Sequence, residues 1–357
     1  MMKTRLEDQI RSEIEARGAI SFAEFMELAL YGQGGFYESP PIGESGHFIT
    51  SPHVHPVFGR LVAGALESFW ERLERPAPFK VLEAGAGDGT LASLILDASP
   101  LPIEYTTVER SAGAREEIGR RGIRATTELE PADAIVANEL LDNLPFHRVR
   151  ARSEGLVEVG VGVVAGRLAE VEIPCRDEVA AQTPPLAPGE EVAVSLEALG
   201  FVDNLANVMR NGYALLIDYG SATGESRDTH GYRKQRLVEE VLADPGSTDI
   251  TAGVDFRALA DRAREWKLQV FGPVRQSEAL VKLGFAEWSR GERDLQAGLL
   301  QDGSGMAAVK AWGGRNEANL LVDPAGLGGL LWIVLATPGL PSPEWLQPQP
   351  DNPGADT

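Results

Sequence analysis

Apolar residues recur at helical intervals through the first 75 residues of the chain. Leu6, Ile10 and Ile14 are spaced four apart, which puts them on one face of a helix. A second helix is predicted after Ser21, with an acid three residues on as in a capping box, and a third over about 57–73. The pattern therefore predicts a helical N-terminal lid over residues 1–75.

The pattern changes after Pro78, where short apolar runs begin to alternate with helical stretches. The runs of strand length are 79–82, 104–108, 134–137 and 213–217. Alternation of this kind is typical of an α/β fold with a mostly parallel sheet and helices on both faces. We expect this core to occupy residues 76–337, with its ligand at the carboxyl ends of the strands.

Three later segments depart from the alternation. Valine and glycine dominate 149–194, which predicts β-hairpins inserted into the core over about 147–200. Residues 268–271 and 330–336 have strand character and are expected to form an antiparallel pair at the edge of the sheet. The run Trp312-Gly313-Gly314-Arg315 is interpreted as a turn. Repeated prolines predict a disordered tail over 338–357.

Composition and charge narrow the class of protein. The chain has 357 residues, 43% hydrophobic and 24% charged, as in ordinary globular proteins. Its net charge of −20 repels phosphate backbones, so we expect no nucleic-acid partner. Cys175 is its single cysteine, which excludes an intramolecular disulfide. No signal peptide and no apolar run long enough to span a bilayer is visible, so we expect a cytoplasmic location and no membrane partner.

A glycine-rich turn follows the first predicted core strand. Gly85 and Gly87 carry no Cβ, so the backbone on either side of Ala86 can approach a ligand closely. A dinucleotide fingerprint would place its third glycine at position 90, where Thr90 stands instead. The spacing that begins at Glu83 is the usual one of S-adenosylmethionine enzymes, and it disfavours the alternative of a nicotinamide-dependent oxidoreductase.

An acid stands at the end of the next predicted strand. Glu109 follows the run 104–108, and a carboxylate at this place can accept both ribose hydroxyls of an adenosine. The alternative is a solvated acid beside Arg110. Together with the glycine turn, Glu109 predicts S-adenosylmethionine as the cofactor.

Polar residues also follow the predicted strand 134–137. Asn138, Glu139 and Asp142 are candidates to orient a nucleophilic nitrogen, because methyl transfer needs in-line positioning and loss of a proton. Asn138 is also expected to contact the cofactor. Glu139 and Asp142 would project to the same side of an incipient helical turn. The alternative is a helix N-terminus, where acids are favourable without any catalytic role.

These motifs belong to longer blocks that resemble the MidA-like methyltransferases. The blocks, besides the glycine turn, are ISFAEFMELALYGQGGFY (20–37), GHFITSPHVHPVFGRLVA (46–63), ANELLDNLPFHR (137–148), ALLIDYG (214–220) and DITAGVDF (249–256). The resemblance covers most of 20–336. It implies a class I, Rossmann-like methyltransferase with a seven-stranded sheet and a helical lid. It also implies transfer to arginine of a protein, a respiratory-complex subunit being one candidate; the alternative is an assembly factor that keeps the fold without activity.

The block around residue 50 carries further candidates. Thr50 and Ser51 are interpreted either as contacts for the methionine part of the cofactor or as a helix cap. His47 and His53 stand where the family usually carries acids. With His55 they could form a zinc site, but we expect no metal and interpret them as loop histidines near the site. The oligomeric state is open, a homodimer being one alternative.

Overall fold

Helices and strands alternate along the computed structural model, which describes residues 2–38, 50–224, 229–233, 236–238 and 240–347. The helices are α1 (Met2–Arg17), α2 (Phe22–Tyr31), α3 (Ser51–Val54), α4 (Val57–Arg72), α5 (Thr90–Ala98), α6 (Ala112–Arg120), α7 (Asp177–Gln182), α8 (Leu196–Val208), α9 (Phe256–Glu265), α10 (Gln276–Lys282), α11 (Phe285–Gln301) and α12 (Gly305–Asn319). The strands are β1 (Ile20–Ser21), β2 (Phe79–Ala84), β3 (Ile103–Val108), β4 (Arg124–Thr126), β5 (Ala134–Asn138), β6 (His147–Arg152), β7 (Gly155–Val164), β8 (Arg167–Pro174), β9 (Glu191–Val194), β10 (Tyr213–Asp218), β11 (Gly220–Ser221), β12 (Thr229–Arg233), β13 (Arg236–Val238), β14 (Asp249–Ala252), β15 (Val254–Asp255), β16 (Gln269–Arg275) and β17 (Leu331–Ala336).

The central sheet has the strand order β16-β17-β10-β5-β2-β3-β4. Its strands from β10 to β4 pair in parallel, whereas β17 is antiparallel to both β10 and β16. The sheet is therefore mixed. The order reverses between β2 and β5, so the ends of these two strands form the crevice in which α/β proteins bind ligands.

Side chains of the central strands alternate between two apolar layers. On β10, Tyr213, Leu215 and Ile217 pack in the layer that contains α4 and α5, while Ala214 and Leu216 pack in the layer that contains α8 and α9. All of them are fully buried. This period of two is the geometry of a strand covered on both faces.

A second sheet forms from the inserted segment. Strands β6, β7, β8 and β9 pair antiparallel, and β1 adds to the edge of β7. Helices α1 and α2 pack on this sheet, with Leu6, Phe25 and Val161 in one buried cluster. Helix α4 instead packs on the central sheet. The predicted lid over 1–75 is thus corrected: its first part belongs to the insertion, because β1 ties it there, and its last helix belongs to the core.

Three other expectations change. The insertion includes the helix α7 and ends before α8, which starts at Leu196 and packs on the core. The predicted disorder does not hold for 338–347, because Trp345 is buried against Trp332; residues 348–357 lie outside the described part. Residues 312–315 lie within α12 rather than in a turn. Among the described helices, none is long and apolar enough to cross a membrane.

Candidate active site

The glycine-rich turn connects β2 to α5 at the switch in strand order. Gly85, Gly87 and Gly89 all have positive φ angles, of 71°, 57° and 78°, which side chains with a Cβ rarely adopt. A Cβ on Gly85 would lie 2.7 Å from Cδ1 of Leu140. The backbone of the turn can therefore follow this path only with glycine at these positions.

Glu109 closes the same turn from the end of β3. Its Oε2 accepts a hydrogen bond from the Gly87 N–H at 3.0 Å, and its Oε1 accepts one from the Ser111 N–H at 2.8 Å. Burial raises the pKa of Glu109 despite these donors. The structure thus places the predicted ribose acceptor directly against the glycine turn, where each oxygen has further lone pairs for a hydroxyl. The alternative of a solvated acid does not fit this burial.

Glu83 lies beneath the turn and is buried. Its Oε2 accepts the hydroxyl of Tyr105 at 2.8 Å. Burial raises the pKa of Glu83 to about 8, although the Tyr105 hydroxyl opposes the shift. Glu83 lines the same cavity as Gly85, Ala86 and Gly87.

The segment after β5 turns sharply. Glu139 adopts a left-handed backbone with φ of 52°, a strained conformation for a residue with a side chain. A single 3-10 turn, Leu141–Asn143, follows it. No α-helix begins here, so the interpretation as acids of a helix N-terminus does not hold for Glu139, whereas Asp142 lies in the first turn of the 3-10 helix. The side chains of Asn138, Glu139 and Asp142 all line the cavity.

Two further buried acids join this segment. Asp218, at the end of β10, is fully buried and accepts the backbone N–H of Leu141 at 2.7 Å. Asp249, at the start of β14, accepts the Asn143 side-chain amide at 3.0 Å. Burial raises the pKa of each acid to about 7. Both belong to blocks quoted above, yet only the fold shows that they lie near Asp142.

Two acceptor atoms in this region have no partner. Among the buried side chains that the structure describes, Oδ1 of Asn138 and Oδ1 of Asp142 accept no hydrogen bond. Burial and the neighbouring carboxylates Asp218, Asp249 and Glu139 raise the pKa of Asp142 well above its ordinary value. We call the acids of this region the acid cluster (Glu139, Asp142, Asp218 and Asp249), and burial is the largest cause of the raised pKa of each.

Aromatic residues of the N-terminal part cover the acid cluster. The Tyr31 hydroxyl donates to the backbone oxygen of Asn143 at 3.0 Å, and the Tyr37 hydroxyl donates to Asp249 at 2.9 Å. The two rings stack with centroids 5.5 Å apart. The guanidinium of Arg110, the residue after Glu109, lies 4.2 Å from the Tyr31 ring. This column joins the ribose side of the cavity to the acid cluster.

Residues 50–53, in the segment that carries the histidines, contact acids that line the cavity. The Ser51 N–H donates to Glu139 at 2.9 Å, so Ser51 holds the acid rather than capping α3, and Thr50 makes no side-chain cap either. His53 lies between the Thr50 hydroxyl and Asp88, at 2.8 and 3.4 Å. Burial raises the pKa of Asp88, but His53 and Thr90 outweigh it and lower the pKa to about 2.

The described histidines of this segment, His53 and His55, have different neighbours. His55 packs on Trp288 with ring centroids 5.0 Å apart, away from the partners of His53. His47 lies outside the described residues. Within the described ranges, no group of three or more His, Cys, Asp or Glu is placed to hold a metal ion.

One cavity of about 1310 Å³ contains both the glycine turn and the acid cluster. Its volume exceeds the roughly 300–1,000 Å³ of a typical small-molecule pocket, which leaves room for a cofactor and a substrate side chain together. The predicted cofactor fits the residues present: Glu109 has acceptor capacity for ribose hydroxyls, and the glycine turn beside it has no room for a Cβ at Gly85. Carboxylates near the glycine turn and in the acid cluster would attract a ligand with positive sulfonium and ammonium groups.

Comparisons with known proteins agree with this geometry. Residues 61–274 match the model of an S-adenosyl-L-methionine-dependent methyltransferase family. The protein arginine methyltransferase NDUFAF7 homolog of Drosophila melanogaster, named mitochondrial, is 28% identical over 94% of this chain and 85% of its own length. The human NDUFAF7 is 26% identical over 84% and 76%. A Burkholderia thailandensis protein bound to S-adenosyl-homocysteine matches in structure with a TM-score of 0.80, at 25% identity over 96% and 94% of the two chains.

Proposed function

The chain belongs to the S-adenosyl-L-methionine-dependent methyltransferase family and has S-adenosyl-L-methionine as its cofactor, and we propose that it methylates a nitrogen of arginine in a partner protein. The glycine turn and Glu109 would hold the cofactor. The acid cluster would hold the guanidinium. The predicted roles of Asn138, Glu139 and Asp142 are part of this proposal.

The unpartnered oxygens of Asn138 and Asp142 carry the proposal. A buried acceptor without a donor is costly, so a native site with two of them is built for a ligand that brings donors. A guanidinium has five N–H donors in one plane and no acceptor. It can therefore satisfy both oxygens at once, which a hydroxyl or thiol substrate cannot do.

The raised pKa values of the acid cluster support a cationic substrate. Burial lifts the pKa of Asp218 and Asp249 to about 7, although hydrogen-bond donors to both carboxylates oppose the shift. A guanidinium stays charged at any physiological pH, so its arrival would lower these pKa values and stabilise the carboxylates. Arginine is held better than lysine in such a site, because its planar fork matches paired carboxylate oxygens.

The residues would act by position and by accepting a proton. The cofactor supplies an electrophilic methyl group on a sulfonium. Oxygens of Asn138 and Glu139 would orient the nitrogen in line with it, as near-attack geometry requires. Methyl transfer from the sulfonium would leave a neutral thioether and would require the nitrogen to lose one proton. Asp142, ionised once the guanidinium is bound, would accept that proton.

The names of the relatives support the same substrate. The fly and human proteins are both named protein arginine methyltransferases, at an identity that leaves the substrate of this chain to be measured. A respiratory-complex subunit remains our candidate partner. A cytoplasmic location likewise remains a prediction.

Incubation with methyl-labelled cofactor tests the proposal. The protein would be mixed with a cell extract, and labelled proteins would be hydrolysed to identify the labelled amino acid. We expect methylarginine with wild-type protein and with Asp97→Asn, an exposed acid of α5, and at least a tenfold loss with Asp142→Asn. Labelled lysine or histidine would contradict the arginine assignment. Intact cofactor binding without any labelled protein would favour the alternative, an assembly factor that keeps the fold.

A further inference from the structure

Helices α11 and α12, which lie in the chain between strands β16 and β17, form a hairpin that is mostly exposed. Of its 32 helical residues, 17 in α11 and 15 in α12, only Phe285, Ala308 and Ala318 are buried. Helices of this length are usually stabilised by the packing of one apolar face. The described part of the chain supplies very little of that packing here.

The apolar residues of α12 are turned outward. Met306 is 86% exposed, Val309 61%, Trp312 50% and Leu320, which ends the helix, 54%. Their spacing places these side chains on one stripe of the helix. The buried positions of α12 hold only alanine. A helix that completes its packing within one chain has its large apolar side chains on the buried side. Helix α12 has them on the exposed side instead.

Helix α11 adds two exposed leucines to the hairpin. Leu295 is 52% exposed and Leu300 59%, and Leu300 lies next to the turn that leads into Met306. The outward stripe of α12 is nevertheless the main apolar surface of the hairpin, and exposed apolar surface of this kind marks an interaction site on many proteins. We call this stripe the hairpin face: Met306, Val309, Trp312 and Leu320.

Charge distinguishes the possible occupants of the hairpin face. The chain carries a net charge of −20, so two copies repel each other through most of their surfaces. Residues 285–319 are close to neutral, with acids and bases nearly balanced: Glu287, Glu292, Asp294, Asp302 and Glu317 against Arg290, Arg293, Lys310 and Arg315. Exposed Lys310 and Glu317 lie four and eleven residues after Met306 on α12, so charges of both signs border the hairpin face and can pair with those of an identical face.

Other occupants fit less well. A helix that lies on a membrane needs a polar side rich in lysine and arginine, whereas acids outnumber bases in this hairpin. A substrate protein would cover the face only during a catalytic encounter. A second copy of the chain is present whenever the protein is, and it matches the balanced charge.

We propose that the hairpin face joins two copies of this chain in a two-fold symmetric dimer. Two α11–α12 hairpins would pack as a four-helix bundle, in which Val309 and Trp312 of each copy lie against the other. This contact does not depend on the proposed arginine substrate. The dimer would account for the exposed apolar side chains of the hairpin face, which the glycine turn and the acid cluster do not explain.

Sedimentation velocity on the full chain tests the dimer over a wide range of protein concentration. We expect a dimer for wild type and for Val164→Glu, which places the same charge at an exposed valine of β7. Val309→Glu should raise the dissociation constant at least about a hundredfold, because it buries a charge without a partner. Met306→Glu, at the most exposed position, should do the same and is least able to disturb folding.

Far-ultraviolet circular dichroism and S-adenosylhomocysteine binding serve as folding controls for each variant. Unchanged values in both measurements, together with a monomeric Val309→Glu, would support the proposal. A wild-type protein that stays monomeric at every concentration would overturn it. So would a dimer that survives both substitutions, because the contact would then lie elsewhere.

Discussion

The two halves of the cavity are built in different ways. In the cofactor half, Glu83, Asp88 and Glu109 each accept hydrogen bonds from residues nearby in the fold. In the substrate half, Asp142 keeps an oxygen without a partner, and the pKa of Asp249 is raised to about 7. The first half is satisfied by the chain itself. Under the proposed function, the second half is completed by a ligand that brings positive charge and donors, so mutations should affect cofactor binding and substrate binding separately.

Gly85→Val should break the cofactor half and has the largest expected effect. A β-branched residue at a φ of 71° is strained by about 1–2 kcal/mol, and its Cβ would collide with Leu140. We expect S-adenosylhomocysteine affinity to fall at least about a hundredfold in isothermal titration calorimetry. Gly64→Ala, at a helical glycine with open space around it, is the matched control. If a folded Gly85→Val binds S-adenosylhomocysteine as tightly as wild type, the glycine turn is not part of the cofactor site.

Asp142→Asn should break the substrate half and spare the cofactor half. Removal of one partner of a buried charge pair costs about 2–5 kcal/mol, so kcat/KM should fall at least about thirtyfold. Cofactor affinity should stay within about threefold of wild type, since Asp142 serves the acid cluster rather than the glycine turn. Methyl transfer and calorimetry on the same preparation measure both. A parallel loss of the two would show that the halves are not separable.

Asp249→Asn should sharpen the comparison through the pH dependence of stability. The folded protein keeps a proton on Asp249 up to about pH 7, whereas the ordinary pKa is 3.8. Its contribution to the free energy of unfolding is therefore present below pH 4 and lost as pH rises toward 7. Urea denaturation would measure the free energy of unfolding at pH 5 and at pH 8. Between these two pH values we expect it to fall in wild type by on the order of 2 kcal/mol more than in the variant. Equal losses would mean that Asp249 titrates normally.

Tyr37→Phe has the smallest expected effect. The substitution removes the hydroxyl that donates to Asp249, so the pKa of Asp249 should rise. The pH profile of methyl transfer should move upward by about one unit or less. Tyr31→Phe is the control, because its hydroxyl donates to the backbone of Asn143 instead. If Tyr31→Phe shifts the pH profile by the same amount, the effect comes from the two stacked tyrosines rather than from the pKa of Asp249.

The sequence predicts the cofactor half better than the substrate half for a physical reason. Gly85 and Glu109 are close along the chain and lie on neighbouring parallel strands, whose ends must meet. Asp249 reaches Asn143 across more than a hundred residues, through a contact that only the tertiary fold creates. The periodicity that predicts strands says nothing of which distant loop folds over the site.

Regions stabilised by unusual packing are also hard to predict from the pattern. Residues 312–315 have the sequence of a turn because Gly313 and Gly314 disfavour helices, yet they lie within α12, whose outward Met306 and Val309 do not mark a buried face. The tail near Trp345 was expected to be disordered because of its prolines. One large aromatic side chain packed on Trp332 is enough to order it.

Calorimetry with a matched peptide pair tests the central claim, that the substrate half receives a guanidinium. Protein saturated with S-adenosylhomocysteine would be titrated with a short arginine peptide and with the same peptide containing citrulline, which is isosteric but neutral. We predict that only the arginine peptide binds and that it releases protons, seen as a dependence of the heat on the buffer. Asp142→Asn should abolish this binding. Equal binding of both peptides, or arginine binding that survives Asp142→Asn, would contradict the account.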